Sequence, residues 1–308
     1  VTDYFAEYAK TVVEKLGDRV THWMTFNEPW VVAFMGYRNG DFAPGIKDQK
    51  QAFQAAYHLM LAHGKAYSAI KSICKNCKVG FTHNYQNLFN ISRDEASEEF
   101  IRFKWEENNG IFLSPVLNGT YPQIIPDKIG SDAPEIHKDD LKIMNQYDFI
   151  GIQYYFDIFV MNGTDESVLE LKNRPSFFEY TEMGWPVTPR GLYDSIMSVK
   201  NKYGANEIVI TENGSAWQDV LSPEGNVNDA KRQDYLKKHL FQIHRAINDG
   251  APVTGYFAWS FMDNFEWAHG YRPRFGLVYV DYPTQQRFIK ESGYLYSKII
   301  RENGLAPF

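Results

Sequence analysis

Segments in which apolar residues recur at helical spacing alternate along the chain with short segments that are apolar almost throughout. The helical spacing predicts helices over residues 1–17, 51–73, 94–112, 189–203, 229–249 and 288–302. The apolar segments predict strands over residues 20–28, 78–84, 147–155 and 207–214, another beginning at Val253, and a hairpin arm over 275–282. Residues 156–187 lack clear periodicity and predict a long polar connection.

The alternation of strands and helices predicts an α/β fold with a parallel sheet, whose strands are buried on both faces. No G-x-G-x-x-G pattern follows any strand, which argues against a dinucleotide-binding fold. The strands end instead in "FNEP", "THN", "QYY", "TENG" and "AWS", all polar or aromatic. Because functional residues of a (β/α)8 barrel gather at the carboxyl ends of its strands, these endings favour a barrel enzyme.

The predicted sheet has five strands, whereas a (β/α)8 barrel has eight. An open parallel sheet would leave unpaired backbone groups at its edges and expose the apolar interior. We therefore expect residues 1–308 to form a single (β/α)8 domain that is incomplete at its N-terminus, with the first third of the domain absent from the chain.

The composition indicates a folded protein and limits the classes of partner that it can bind. Of the 308 residues, 44% are hydrophobic and 23% are charged, which supports a full core. The formal charge of −6 argues against a nucleic-acid partner, because phosphate binding needs a basic face. No stretch approaches 18 consecutive apolar residues, so we expect no membrane partner. The sequence leaves the oligomeric state and the compartment open, with the cytoplasm slightly favoured.

Cys74 and Cys77 form the C-x-x-C motif of "SICKNCKVG". A zinc site would need two more ligands at recognisable spacing. A redox pair would lie at the start of a helix, whereas this pair follows one. We therefore expect two ordinary thiols, and we expect neither a metal nor an organic cofactor.

Two glutamates lie at the ends of predicted strands. Glu28 precedes Pro29, which has no backbone N–H and must stop the ladder, and the residue before a proline is biased toward extended geometry. Glu212, within "VITENG", ends a buried strand and is followed by Asn213 and Gly214, which turn the chain. One such carboxylate could cap a helix. Two on one rim can converge on a glycosidic bond, one as the acid and the other as nucleophile or base.

The segments "TFNEPW", "VITENG" and "GYFAWSFMDNFEWAHGYRPRFGLVYVDY" resemble, in this order, the signature segments of glycoside hydrolase family 1, the β-glucosidase family. The resemblance runs from residue 1 to the last helix. It implies a (β/α)8 barrel whose fourth to eighth strands are present, and a retaining, exo-acting β-glycosidase. Glu28 would be the acid/base and Glu212 the nucleophile.

The resemblance also implies substrate-binding roles for residues near that pair. Asn27 would bind the sugar 2-hydroxyl, and Tyr155 would donate a hydrogen bond to Glu212. The remaining implied residues are Trp259 under the sugar ring, Glu266 and Trp267 on its hydroxyls, Phe275 beside them, and Trp185 and Asn84 on the leaving-group side. A cis peptide bond between Trp259 and Ser260 is implied as well. The expected partner is a small β-glycoside or oligosaccharide.

Two departures from the family pattern qualify these roles. Gln153 replaces the asparagine of the usual "NYY", and the glutamine and histidine that the family's first strands contribute are not in the chain. Glu266 argues against a 6-phosphoglycosidase, because its charge would repel a phosphate. Glu28 argues against a thioglucosidase, which has glutamine at this position. The alternative is a non-catalytic sugar- or protein-binding relative, although such relatives tend to lose one of the glutamates.

Overall fold

The computed structural model describes residues 1–91, 93–160 and 178–305. In chain order its strands are β1 (His22–Asn27), β2 (Lys78–Asn84), β3 (Leu88–Asn90), β4 (Phe149–Gln153), β5 (Ile158–Val160), β6 (Ile208–Asn213), β7 (Val253–Ala258), β8 (Val278–Asp281) and β9 (Gln286–Ile289). Strands β1, β2, β4, β6 and β7 form one parallel sheet in that order, as the sequence predicts. The short strands β3 and β5 pair in parallel, and β8 and β9 form an antiparallel hairpin.

Helices connect the strands of the sheet. They are α1 (Thr2–Leu16), α2 (Gln49–Ile73), α3 (Glu95–Trp105), α4 (Ile111–Asn118), α5 (Ile124–Ile129), α6 (Lys138–Met144), α7 (Pro189–Tyr203), α8 (Ala230–Asn248) and α9 (Glu291–Glu302). The main core lies between the sheet and these helices, where Phe81, Ile150 and Ile210 are fully buried among apolar side chains of α2, α4 and α7. Burial of this apolar surface stabilises the packing of the helices on the sheet.

Two predicted helices differ from the structure by more than two residues at an end. The helix expected over residues 94–112 is wrong as one element, because a π-helical segment, Glu106–Gly110, separates α3 from α4. The segment lets Glu107 turn inward, where Arg38 and Lys104 bind its carboxylate. Helix α9 starts at residue 291 rather than 288, since the residues before it belong to β9.

The expectation of two ordinary thiols is wrong. Cys74 and Cys77 are joined by a disulfide directly after α2. The turn that follows the helix brings their Cα atoms to 5.4 Å, which lies within the range that a disulfide requires. The polar connection predicted over residues 156–187 contains β5, and residues 161–177 of it lie outside the described part of the chain.

Candidate active site

The carboxyl ends of the five parallel strands lie along one edge of the sheet. The end residues are paired in register: Asn27 with Thr82, Asn84 with Gln153, Gln153 with Glu212, and Asn213 with Ala258. Two backbone bonds extend the edge beyond the strands, from Glu28 N to Thr82 O at 2.9 Å and from Trp259 N to Asn213 O at 2.9 Å. The sheet therefore brings the residues predicted from five separate segments to a single rim.

The expected extended geometry at Glu28 is wrong. Its φ is +48°, in the left-handed region that non-glycine residues seldom adopt. The Glu28 N–H still bonds to Thr82 on the neighbouring strand, while a helical turn begins at Pro29 and continues into a π-helix, Val31–Asn39. The turn from strand to helix must therefore be made within Glu28 itself. Such a conformation costs on the order of 1–3 kcal/mol and persists where the surrounding structure holds it.

The environment of the two glutamates raises both pKa values, but not equally. Burial, followed by the charges of Glu212 and Glu266, raises the pKa of Glu28 to about 8. Burial and the charge of Glu266 raise the pKa of Glu212 to about 7, and a hydrogen bond from Tyr155 opposes that rise. The three carboxyls thus share one electrostatic environment, in which Glu28 holds its proton more firmly than Glu212.

Tyr155 links the ends of β4 and β6. Its hydroxyl donates to Glu212 Oε2 at 2.5 Å, and this is the contact that the sequence resemblance implies. Burial and then the charges of Glu212 and Glu28 hold the pKa of Tyr155 well above its usual range, so the phenol stays protonated and remains a donor. The Tyr235 hydroxyl donates to the Tyr155 carbonyl at 3.2 Å and fixes the backbone behind it.

The segment after β7 carries Trp259, Glu266 and Trp267. The peptide bond between Trp259 and Ser260 is cis, which confirms that prediction. Burial raises the pKa of Glu266, and a hydrogen bond with Trp259 opposes the rise, so these two side chains lie together. The Trp267 side chain is 68% exposed, and its ring lies 6.0 Å from that of Phe42, at the outer end of the segment.

A cluster of aromatic rings surrounds Tyr155, next to Glu212. The Trp185 ring stacks on Phe156 with 5.1 Å between centroids, and it lies 5.2 Å from Tyr155 and 5.9 Å from Phe275. Three of these rings are predicted site residues, and Phe156 is not. The only sequence signal for Phe156 was its place in the aromatic run "YYF", directly after Tyr155.

Three amide side chains lie along the ends of β1, β2 and β4. Gln153 Nε2 donates to Asn27 Oδ1 at 2.7 Å. Asn27 is exposed at the rim, whereas Gln153 is only 1% exposed. The Oε1 atom of Gln153 and the Oδ1 atom of Asn84 are both buried and find no hydrogen-bond partner among the described residues. The structure therefore brings Asn27 and Asn84 to the rim and ties Asn27 to Gln153.

A network of buried charges supports the Trp259–Phe275 segment, and sequence reasoning missed it. The Asp263 carboxylate accepts from Lys290 Nζ at 2.8 Å and from Arg274 Nη1 at 2.6 Å. Lys290 also binds Asp219 at 2.6 Å, which in turn binds Arg232 at 2.7 Å. These side chains join the segment to α8 and to the start of α9. Single charged residues in an aromatic sequence give no pattern that would have revealed the pairing.

Within residues 1–91, 93–160 and 178–305, no group of three or more His, Cys, Asp or Glu side chains is arranged to hold a metal ion. In the same ranges, no helix combines the length and the apolar character needed to cross a lipid bilayer.

Comparison with known proteins gives consistent results. Residues 1–305 match the family described as "Glycosyl hydrolase family 1". The chain is 42% identical to beta-glucosidase A of Thermotoga maritima and 43% identical to a 1,4-beta-D-glucan glucohydrolase of Thermotoga neapolitana. Each alignment covers 99% of this chain and 69% of the relative. A solved structure of the Thermotoga maritima beta-glucosidase with cyclophellitol has a TM-score of 0.91 at 41% identity, with the same coverage of the two chains.

Proposed function

The chain belongs to glycosyl hydrolase family 1, and on that premise we propose that Glu28 and Glu212 are its catalytic acid/base and nucleophile. It is a retaining, exo-acting β-glycosidase of the β-glucosidase type on a (β/α)8 barrel, whose fourth to eighth strands are β1, β2, β4, β6 and β7. We also propose that residues 1–308 belong to one barrel domain. The observation that carries the assignment of roles is the hydrogen bond from the Tyr155 hydroxyl to Glu212 Oε2, which favours the ionised form of Glu212, while burial and the charge of Glu212 favour the protonated form of Glu28.

In the first step, the Glu212 carboxylate attacks the anomeric carbon while Glu28 gives its proton to the departing glycosidic oxygen. A pKa of about 8 keeps Glu28 protonated at neutral pH, as a general acid must be. The Tyr155 hydrogen bond favours the ionised form of Glu212, as a nucleophile requires. The step leaves a covalent glycosyl-enzyme ester and frees the leaving group.

In the second step, water replaces the enzyme at the anomeric carbon. Formation of the ester removes the negative charge of Glu212, which is one of the causes of the raised pKa of Glu28. The pKa of Glu28 therefore falls, and its carboxylate can take a proton from the attacking water. Hydrolysis of the ester returns Glu212 to the carboxylate and Glu28 to the acid, and two displacements together retain the β configuration.

We propose that Asn27, Trp259, Glu266, Trp267 and Phe275 bind the terminal sugar. A carboxylate such as Glu266 can accept from two hydroxyls at once, and Trp259 holds it through a hydrogen bond. The charge of Glu266 disfavours a phosphorylated sugar, so the substrate class is a small, neutral β-glycoside with a glucose-like sugar, or a galactose- or fucose-like one. Trp185 and Asn84 lie on the side of the leaving group.

The assignment can be tested on the full-length protein with p-nitrophenyl β-glucoside as substrate and a 2-deoxy-2-fluoro-β-glucosyl fluoride as a trap. The fluorine slows the second step, so the covalent ester accumulates and peptide mass spectrometry can locate it. We expect the label on Glu212 and none in Glu212→Ala. A label on Glu266, or hydrolysis without any label, would refute the assignment of the nucleophile.

A further inference from the structure

Asn27 and Gln153 are joined side chain to side chain through a single hydrogen bond, from Gln153 Nε2 to Asn27 Oδ1 at 2.7 Å. They come from β1 and β4, which are separated in the sheet by β2. Gln153 is buried, and Asn27 is exposed at the rim. The contact therefore passes from the interior of the sheet to a residue that faces the site.

The hydrogen bond determines which end of the Asn27 amide can meet a ligand. A primary amide has an acceptor oxygen at one end and a donor nitrogen at the other. Because Gln153 occupies Oδ1, the Nδ2 end is the one turned away from Gln153. If the Gln153 amide were reversed, its oxygen would need Nδ2 of Asn27 as the donor, and Asn27 would present its oxygen instead.

The Gln153 amide makes its hydrogen bond through its nitrogen alone. Gln153 Oε1 is buried and has no hydrogen-bond partner among the described residues. A buried amide that makes no hydrogen bond at all would be still less favourable, so the bond to Asn27 stabilises Gln153 at this position. The backbone of Gln153 also pairs with that of Glu212 on the neighbouring strand, so Gln153 lies at the same rim as Glu212.

We propose that Gln153 is a positioning residue that fixes Asn27 as a hydrogen-bond donor to the sugar 2-hydroxyl. The inference rests on the proposed role of Asn27. A 2-hydroxyl that accepts from Asn27 Nδ2 keeps its own proton free to donate to a carboxylate at the same rim. Gln153 thereby sets the polarity of recognition at the 2-position without contacting the sugar.

The test compares kcat/KM for p-nitrophenyl β-glucoside with kcat/KM for its 2-deoxy analogue, in the full-length protein. The ratio of the two values measures what the 2-hydroxyl contributes to the transition state. Gln153→Met keeps the size of the side chain and removes both hydrogen-bonding groups. We expect the ratio to fall by about three- to tenfold, the value of one hydrogen bond, with little change for the 2-deoxy substrate.

Asn27→Ala and the double variant that combines it with Gln153→Met complete a double-mutant cycle. Asn27→Ala should lower the ratio at least as much as Gln153→Met, and the double variant should lower it no further, because Gln153 acts through Asn27. Additive losses, or an equal loss on both substrates with an unchanged ratio, would overturn the proposal for Gln153 alone. An unchanged ratio in Asn27→Ala would show that Asn27 does not bind the sugar 2-hydroxyl, and would overturn the proposed role of Asn27 as well.

A second variant guards against misfolding. Gln153→Asn keeps the amide but is shorter by one carbon–carbon bond, about 1.5 Å, so its nitrogen no longer reaches Asn27. Its ratio should fall as in Gln153→Met while the thermal unfolding temperature stays close to that of the parent. A parent-like ratio in this variant would show that the hydrogen bond does not position Asn27.

Discussion

Replacing Tyr155 by phenylalanine tests how the nucleophile is kept ionised. The change removes the hydroxyl that donates to Glu212 Oε2 at 2.5 Å and leaves the ring in place. Hydrogen bonds to charged groups contribute about 1.5–3 kcal/mol, and one pKa unit corresponds to about 1.4 kcal/mol. The pKa of Glu212, about 7 in the parent, should therefore rise by about one to two units in the variant.

The consequence for activity depends on pH. The reactive form has Glu212 ionised and Glu28 protonated, and the pKa of Glu28 is about 8. With a rise of about 1.5 units, the reactive fraction at pH 7 falls from about one half to about 3%, roughly fifteenfold. At pH 8.5 the two proteins should differ by less than about twofold from ionisation alone.

The assay is the pH dependence of kcat/KM for p-nitrophenyl β-glucoside, because this parameter reports the ionisation of the free enzyme. Tyr256→Phe is a matched control, since its hydroxyl donates to the Asn213 side chain at 3.0 Å and not to a carboxyl. The pH profile of kcat/KM for the control should have its acid limb at the same pH as that of the parent. An acid limb that stays near pH 7 in Tyr155→Phe, or a loss of equal size at every pH, would refute this account of Tyr155.

Three further predictions concern charge. Glu28→Gln should stabilise the protein at pH 8.5 by roughly 1–3 kcal/mol and have little effect at pH 4, because a pKa raised to about 8 means that folding opposes ionisation of Glu28. A variant that unfolds at the same temperature as the parent at pH 8.5 as well as at pH 4 would contradict this. Glu266→Gln should move both limbs of the pH profile to lower pH, since the Glu266 charge raises the pKa of Glu28 and of Glu212; unmoved limbs would count against it. Lys290→Met should cost about 3 kcal/mol in urea unfolding, because it leaves buried carboxylates short of a cation; a loss under 1 kcal/mol would show that the remaining arginines suffice.

Elements with strong local signals were predicted to the residue. Strand β2 and helix α7 have the bounds that the sequence indicates. In α7, Pro189 occupies the first turn, and Gly204 closes the helix with φ of +65°. These signals lie within the element itself, so no knowledge of the rest of the fold was needed.

The missed features depend on residues far apart in the chain. The φ of Glu28 results from a hydrogen bond to Thr82 on another strand, which overrides the local preference of a residue before proline. The bond from Gln153 to Asn27 spans 126 positions, and the sequence showed the glutamine but not its partner. The contact between Lys290 and Asp263 likewise appears only when β9 and the segment after β7 pack together. Local pattern carries no information about such pairs.

The central claim is that Glu28 and Glu212 act on one glycosidic bond in different roles. The most direct measurement is the configuration of the glycosyl azide formed when azide is added to Glu212→Ala and to Glu28→Ala with an activated β-glucoside. Without the nucleophile, azide displaces the leaving group directly and should give the α-azide. Without the acid/base, azide attacks the glycosyl-enzyme and should give the β-azide. The same configuration from both variants, or rescue of neither, would contradict the assignment.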